Sequence, residues 1–226
     1  NRGRVKSLPD QIVQIDGTNY GGIYPTAFLG GSSTGITGKD YLRNENGDVI
    51  CDENGYPLID TSKQLYIGNR EPDFLLGLGS NFRYKELTAS FLFDGRCGGD
   101  VVNITGSSLI SNGQHHLYDK YRNREVVFNG VVKNADGTYS PNTTPIILDQ
   151  TTVNKYFYPV SSNFIEDGSY IRLSYVTLAY DFGNLMKKAG SKNPIKGLRA
   201  SLTGRNLFLL TKYTGSDPQV MPSATG

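Results

Sequence analysis

Residues 164–215 contain two stretches in which apolar and polar side chains alternate. In the first, Val176, Leu178 and Tyr180 fall on one face of an extended chain, whereas Thr177 and Ala179 fall on the other. Residues 198–205 repeat the alternation. A strand with one apolar side and one polar side needs a boundary, which can be a protein core or a lipid bilayer. The pattern therefore predicts an all-β, antiparallel fold.

A hairpin is predicted at residues 73–96. Both of its strands alternate in the same way, and only Lys85 and Glu86 separate Tyr84 from Leu87, so the connection is tight. Strands of about ten residues, with aromatic residues at the ends of an apolar band, are typical of outer-membrane barrels. A soluble β-sandwich would show the same alternation, so both interpretations remain open at this point.

The composition also favours β-structure, since the chain has 27 Gly, 15 Tyr and 10 Phe but no Trp. No run approaches the roughly 18 apolar residues of a transmembrane helix, but barrel strands alternate and never form such a run. The net charge of +2, without a cluster of Lys and Arg, argues against nucleic-acid binding. Cys51 and Cys97 lack the spacing of a zinc site, and both a disulfide and two free thiols are compatible with the sequence.

The sequence carries no motif of a hydrolase, a metalloprotease or a nucleotide-binding enzyme, so no enzymatic activity and no cofactor are predicted. The D-E-N-G at Asp52 lacks the alternating acids of a calcium loop and is interpreted as a turn. His115 and His116 are adjacent, but no Cys or patterned acid accompanies them, so no metal is predicted.

Three sequence blocks resemble a known family. They read F-L-F-D-G-R-C-G-G-D from Phe91, F-I-E-D-G-S-Y-I-R-L from Phe164 and G-R-N-L-F-L-L-T-K-Y-T-G-S-D-P from Gly204. In this order they closely resemble the C-terminal barrel region of the SusC/RagA-type TonB-dependent outer-membrane transporters. Ile67-Gly68-Asn69 and Pro72-Asp73-Phe74 precede the first of these blocks and agree in the same order, and residues 41–47 and 52–58 extend the match more loosely. The family's plug domain has no counterpart in the sequence, and both chain ends look cut, so a fragment that also lacks the final strands is expected.

The resemblance implies a segment of an antiparallel transmembrane β-barrel, part of a barrel of roughly 22 strands closed around a plug. It further implies the outer membrane of a Gram-negative bacterium, contact with membrane lipid and import of oligosaccharides or peptides. A SusD-like surface lipoprotein would lie over the external opening, and TonB would act through the absent N-terminal region. The main alternative is a soluble, secreted β-sandwich that binds carbohydrate. A glycoside hydrolase would need two placed carboxylates, and no such pair stands out.

Loop lengths predict how the chain crosses the membrane. A segment as long as residues 98–163 is unusual inside a compact soluble domain, whereas outer-membrane barrels combine long external loops with short periplasmic turns. Lys85-Glu86 and the turn from Gly183 to Lys196, with a short helix at Leu185–Ala189 ended by Gly190, are therefore expected in the periplasm. The predicted order is an extracellular loop region (1–72), a hairpin (73–96), a long extracellular loop (97–168), a second hairpin (169–210) and the start of another extracellular loop (211–226).

Two sets of candidate site residues follow from this topology. The polar strand faces would line the lumen of the barrel, with Asn81, Arg83, Ser90, Thr177, Arg199 and Thr203. Aromatic and polar loop residues would contact the ligand, because rings stack on apolar ligand faces while polar groups fix orientation. This second set comprises His115, Tyr118, Tyr121, Tyr139, Tyr156 and Tyr158. Glu166 and Asp167 are either a ligand-binding carboxylate pair or part of an exposed turn.

Overall fold

The computed structural model describes residues 4–10, 12–15, 21–62, 64–188 and 197–219. Its strands, in chain order, are β1 Ile12–Gln14, β2 Tyr24–Phe28, β3 Gly35–Gly38, β4 Ile50–Cys51, β5 Leu65–Asn69, β6 Phe74–Tyr84, β7 Leu87–Cys97, β8 Asp100–Val102, β9 Glu125–Val127, β10 Val131–Lys133, β11 Tyr139–Pro141, β12 Pro145–Ile147, β13 Ile165–Asp167, β14 Tyr170–Asp181 and β15 Arg199–Thr211. Its α-helices are α1 Ile104–Ser111, α2 Leu117–Tyr121, α3 Gln150–Thr152 and α4 Gly183–Lys188, with a π-helical turn at Val153–Phe157 and a 3₁₀ turn at Ser161–Phe164. None of these helices is long and apolar enough to cross a membrane.

The chain forms two compact units. Residues 72–98 and 168–212 make up one, which we call the sheet unit. Residues 1–71, 99–167 and 213–226 make up the other, which we call the loop unit.

The sheet unit is a single antiparallel sheet with the strand order β15-β14-β7-β6. Its strands are long, with 11 residues in β6 and β7, 12 in β14 and 13 in β15. Most strands in globular proteins are about half this length, whereas a strand of roughly ten residues spans a bilayer. The predicted hairpins at 73–96 and 169–210 correspond to β6–β7 and to β14–β15.

The pairing register gives this sheet two chemically different faces. Because side chains alternate along each strand, residues in register share a face. One face is almost wholly apolar and carries Phe74, Leu76, Leu78, Phe82, Tyr84, Leu87, Phe91, Phe93, Ile171, Leu173, Val176, Leu178, Tyr180, Leu202, Phe208 and Leu210. We call it the apolar face, and the opposite one the polar face.

The apolar face is open rather than buried in a core. Leu76 is 59% exposed, Leu202 is 76% exposed, and Leu178 is exposed as well. Phe91, on the central strand β7, is half-buried, and the rings of Phe82 and Phe93 on the same face lie 6.1 and 5.7 Å from it. A two-layered β-sandwich would bury these side chains between its sheets. The sandwich alternative is therefore not the arrangement of this sheet.

A tight turn joins β6 to β7 at the end of the sheet where β14 also ends. Lys85 adopts a positive φ of 53°, which closes the tight turn between β6 and β7. Glu86 ties this turn to the next one, since its backbone oxygen accepts from Asp181 N (3.0 Å) and its carboxylate from Asn184 Nδ2 (2.6 Å). The predicted helix after β14 begins two residues earlier than expected, at Gly183, whose N–H donates to the Asp181 carboxylate (2.8 Å). Its predicted end at Ala189 and Gly190 lies outside the described residues.

The described residues of the loop unit form four small sheets, ordered β1-β2-β3-β5, β11-β10-β4, β12-β9 and β13-β8. The segment predicted as a long external loop, residues 97–168, contains helices α1 to α3 and several short paired strands. Strands β9 and β12 of this segment pair with each other in an antiparallel arrangement. Cys51 is buried and Cys97 half-buried, and both are free thiols.

A hydrophobic core of the loop unit is formed by side chains of α1, α2, the π-helical turn and the 3₁₀ turn. Its buried members are Ile110, Tyr118, Val153 and Phe164. Asn103 caps α1, because its Oδ1 accepts from Gly106 N at 2.7 Å. Such a cap satisfies a helix N–H that has no partner inside the helix.

Candidate functional site

The polar face of the sheet unit brings four of the six predicted lumen residues into one row. Asn81 pairs with Ser90, Ser90 with Thr177, and Thr177 with Thr203. A hydrogen bond of 2.9 Å joins the hydroxyls of Thr177 and Thr203. Each of these residues comes from a different strand, so a continuous polar stripe crosses the whole sheet.

The two predicted lumen arginines lie on the same face, nearer the short turns. Arg83 is exposed, and its Nε donates to the backbone oxygen of Lys85 at 3.3 Å. Arg199 is exposed and stands directly opposite Asp181 in the register. This end of the polar face therefore presents hydroxyl, amide, guanidinium and carboxylate groups together.

The other end of the polar face contains charged residues that the sequence did not single out. A β-bulge between Leu173 and Tyr175 changes the direction of the Ser174 side chain. The Ser174 hydroxyl donates a hydrogen bond to the Asp94 carboxylate. Arg172 lies opposite Asp94, and its guanidinium sits 5.2 Å from the centre of the Tyr170 ring. Arg172 is buried although it is charged. The local sequence pattern does not mark this position, because the residue opposite it, Asp94, lies on another strand.

The predicted ligand-binding aromatics divide over several places in the loop unit. Tyr118 is only 7% exposed, and its hydroxyl donates to the backbone oxygen of Ile110 (3.0 Å), so it serves the core. Tyr121 is exposed beside an almost wholly apolar cavity of about 250 Å³. Tyr156 stacks on Tyr56 with ring centres 4.5 Å apart. Tyr158, which follows the π-helical turn, is exposed.

His115 is half-buried, with its ring centre 4.3 Å from that of His116. Burial, and then the neighbouring His116, lowers the pKa of His115. Within the described part of the chain, no group of three or more His, Cys, Asp and Glu side chains could hold a metal ion.

Glu166 makes intramolecular bonds instead of forming a carboxylate pair. Its carboxylate accepts from Thr214 N, Thr214 Oγ1 and Asn103 Nδ2, each at 2.7 Å. Asn103 Nδ2 also donates to Thr214 Oγ1 at 2.9 Å. These bonds fasten the segment that follows β15 onto β13 and the start of α1, which is a structural role.

Tyr139 lines a second cavity, an open groove of about 640 Å³. The groove lies beside two turns of the same kind, Asp52–Tyr56 and Asn134–Thr138. In each, the first residue accepts through its backbone oxygen from the N–H of the glycine three residues on, at 3.0 Å. The D-E-N-G at Asp52 is therefore a turn, since Asp52 Oδ1 accepts from the backbone N–H of Asn54 and of Tyr56.

Comparison with known proteins shows one consistent relationship. No family model matches the sequence. TonB-dependent receptor P3 of Formosa agariphila is 28% identical over 208 residues, which is 91% of this chain. TonB-dependent receptor P26 of the same organism is 31% identical over 76% of the chain, and SusC of Bacteroides thetaiotaomicron is 27% identical over 78%. The chain spans 18% of the length of the first of these relatives and 16% of the other two.

Solved structures share the fold. The RagAB peptide importer in its open-open state superposes with a TM-score of 0.54 at 17% identity, over 93% of this chain and 22% of that one. The RagAB peptide transporter gives a TM-score of 0.51 at 18% identity, over 92% of this chain and 22% of that one. In sequence and in fold the chain matches a segment of the SusC/RagA-type TonB-dependent receptors. The prediction of an antiparallel all-β barrel segment is confirmed.

The sequence blocks that carry the resemblance to these receptors are neighbours in the structure. The block from Phe164 forms β13 and the start of β14, and the block from Gly204 forms most of β15. The two blocks meet where Tyr170 pairs with Thr211, beside the hydrogen bond from Thr211 Oγ1 to the backbone oxygen of Ser169 (2.8 Å). The block from Phe91 forms the second half of β7, the other neighbour of β14.

Proposed function

We propose that this receptor segment is part of the barrel wall and external loops of an outer-membrane transporter that imports oligosaccharides, with peptides as the second ligand class. A SusD-like surface lipoprotein would act with it, and TonB would supply the energy. The observation that carries the proposal is the four-stranded sheet, whose apolar face is open while its other face is polar. Such a sheet suits a barrel wall between acyl chains and water.

The proposal extends to membrane topology. Both outer strands of the sheet, β6 and β15, are long edges, and an exposed long edge is a template for aggregation unless further strands pair with it. Closure into a barrel of roughly 22 strands would remove these edges. Residues 1–72, 97–168 and 211–226 would then lie outside the cell, and the turns at Lys85-Glu86 and 183–196 in the periplasm.

The lumen would be lined by the polar row Asn81, Ser90, Thr177 and Thr203, together with Arg83 and Arg199. Hydroxyl, amide and guanidinium groups offer both donors and acceptors to a hydrated ligand. Of the loop aromatics, the partly or fully exposed His115, Tyr121, Tyr139, Tyr156 and Tyr158 remain candidates for ligand contact. Tyr118 is no longer a candidate for ligand contact, because its ring is buried in the hydrophobic core. No bond-making role is assigned to any of these residues.

Cysteine labelling of the full-length receptor tests the two faces. Ser90 lies in the polar row, whereas its neighbour Ala89 pairs with Phe82 and Leu178 on the apolar face. In a background with Cys51→Ser and Cys97→Ser, we expect S90C to react with a charged, membrane-impermeant maleimide in intact cells. A89C should react only with a lipophilic maleimide. Equal labelling of both positions by the charged reagent, or a receptor found in the soluble fraction, would overturn the membrane assignment.

Growth experiments test transport. Deleting the full-length receptor gene should abolish growth on an oligosaccharide that supports the parent strain, while growth on its monosaccharide continues. An affinity tag on the receptor should co-purify a surface lipoprotein from detergent extracts of the outer membrane. Loss of growth on peptides instead would make peptides the imported class.

A further inference from the structure

We propose that the groove beside the Asp52–Tyr56 turn is a binding site for a neutral oligosaccharide, with a sugar ring lying on Leu42, Leu58 and Tyr139. We call it the Tyr139 groove. The inference rests on the proposed import function and names the ligand class that the receptor meets on its loop unit.

The floor of the Tyr139 groove is apolar and accessible. Leu42, Leu58 and Tyr139 are 38%, 37% and 40% exposed, and all three line the same cavity of about 640 Å³. This volume falls within the range of small-molecule pockets, roughly 300–1,000 Å³. A sugar ring presents one face of C–H groups, which can cover apolar side chains and a tyrosine ring while its hydroxyls stay at the edge.

The backbone fixes this floor. Leu42 N donates to Leu58 O at 2.8 Å, and Leu58 N donates to Ile50 O at 2.9 Å. Ile50 N in turn donates to Leu42 O at 2.8 Å, so three chain segments are linked in a closed cycle of hydrogen bonds. Buried Ile50 and Cys51 also line the cavity. The exposed leucines are therefore held side by side before any ligand arrives.

The rim of the groove carries both signs of charge. Asp52, Glu53 and Asn54 line one part of it, and Lys133 lines another. The parallel pairing of β4 and β10, with Cys51 opposite Val132, brings Asp52 and Lys133 to the same end of their sheet. The carboxylates can only accept hydrogen bonds and the ammonium can only donate them, whereas a sugar hydroxyl does both.

The mixed charge separates ligand classes. A polyanion in the groove would face Asp52 and Glu53, and a polycation would face Lys133. Repulsion between like charges lowers the affinity for such a ligand. A neutral chain of hydroxyl groups can pair with either sign. With two carboxylates against one ammonium, the rim disfavours an acidic glycan most strongly, and a neutral oligosaccharide meets no like charge anywhere in the groove.

The turn that forms one wall is held rigidly. Asp52 Oδ1 accepts from the backbone N–H of Asn54 and of Tyr56, both at 2.9 Å. Gly55 packs against the backbone oxygen of Thr144, and Tyr56 stacks on Tyr156. A wall fixed by such contacts loses little conformational freedom on binding, which favours affinity.

Binding is measured on the purified full-length receptor in detergent by isothermal titration calorimetry. The neutral probes are hexasaccharides of α-1,4-glucan, β-1,3-glucan and β-1,4-mannan, and the charged probes are hexagalacturonate and hexalysine. We expect one neutral probe to bind most tightly. Y139A and E53Q should each weaken that binding about tenfold, the loss typical of one good contact. Y139F, which keeps the ring, should retain it.

Tyr66→Ala is the matched control, because Tyr66 is an exposed tyrosine of the loop unit that is not among the residues lining the Tyr139 groove. It should leave the affinity unchanged. Preference for hexagalacturonate or hexalysine, binding to no neutral probe, or an equal loss in Y66A would overturn the inference. The different labelling expected for S90C and A89C does not depend on any of these results, so the membrane assignment is tested separately.

Discussion

Tyr41 shows at the residue scale how the loop unit changes the chemistry of a side chain. It is 6% exposed, and its hydroxyl accepts a hydrogen bond from Asn163 Nδ2 at 2.9 Å. Its ring meets that of Phe128 edge-on at 5.5 Å. Burial raises the pKa of Tyr41 to about 12, because a phenolate would lose its hydration inside the unit.

This shift predicts how stability depends on pH. The ordinary pKa of tyrosine is about 10, so the unfolded chain loses this proton first. The contribution of Tyr41 to stability is therefore complete below about pH 10 and is lost as the pH rises towards 12. Ultraviolet difference titration of the full-length receptor against Y41F should give a phenolate midpoint near 12. A midpoint near the ordinary value would show that Tyr41 is solvated.

At the scale of the element, alternation predicted the strands of the sheet unit and the residues that share each face. That was possible because period 2 is a local property of the chain. The polar row that contains Ser90 and Thr177 follows from this alternation once the pairing register of the strands is known. The parallel pairing of β4 with β10 could not be predicted, since the two strands lie far apart in sequence and are very short. The burial of Tyr118 likewise depends on Val153 and Phe164, which lie on other segments.

The two turns beside the Tyr139 groove offer a matched pair of substitutions. Gly55 and Gly137 occupy the same position in their turns, with φ of 84° and 86°. A Cβ on Gly55 would lie 2.5 Å from the backbone oxygen of Thr144, whereas one on Gly137 would meet nothing within 4 Å. Alanine at either position adds backbone strain of about 1–2 kcal/mol, but only G55A also forces the turn away from its neighbour.

Hydrogen exchange of the full-length receptor distinguishes these two costs. We expect G55A to accelerate exchange throughout residues 52–56 and at the facing Thr144, and to weaken binding in the Tyr139 groove. G137A should accelerate exchange only within residues 134–138. Similar, purely local changes in both variants would mean that the contact between Gly55 and Thr144 does not hold the wall of the groove.

At the scale of the whole molecule, the two units differ in whether their large apolar side chains are exposed or buried. The strands of the sheet unit place large apolar side chains such as Leu76 and Leu202 on an open surface. A soluble protein rarely exposes a contiguous apolar area of this extent. The loop unit instead buries Ile36, Val160 and Phe164 and covers its backbone polar groups with turns and caps. Water therefore suits the loop unit as solvent, and the apolar face of the sheet unit suits lipid.

This difference predicts opposite outcomes for the same new charge on the two faces of one strand. Leu78 lies near the middle of β6 on the apolar face and is 59% exposed, whereas Asn81 lies in the polar row. Arginine on the lipid face near the bilayer midplane costs about 2–4 kcal/mol, while a lumen position remains hydrated. L78R should lower the amount of folded full-length receptor in the outer membrane several-fold, measured by its resistance to unfolding in cold detergent. N81R should leave that amount unchanged and alter only uptake through the lumen. Equal folded levels for both variants would place water, not acyl chains, against Leu78.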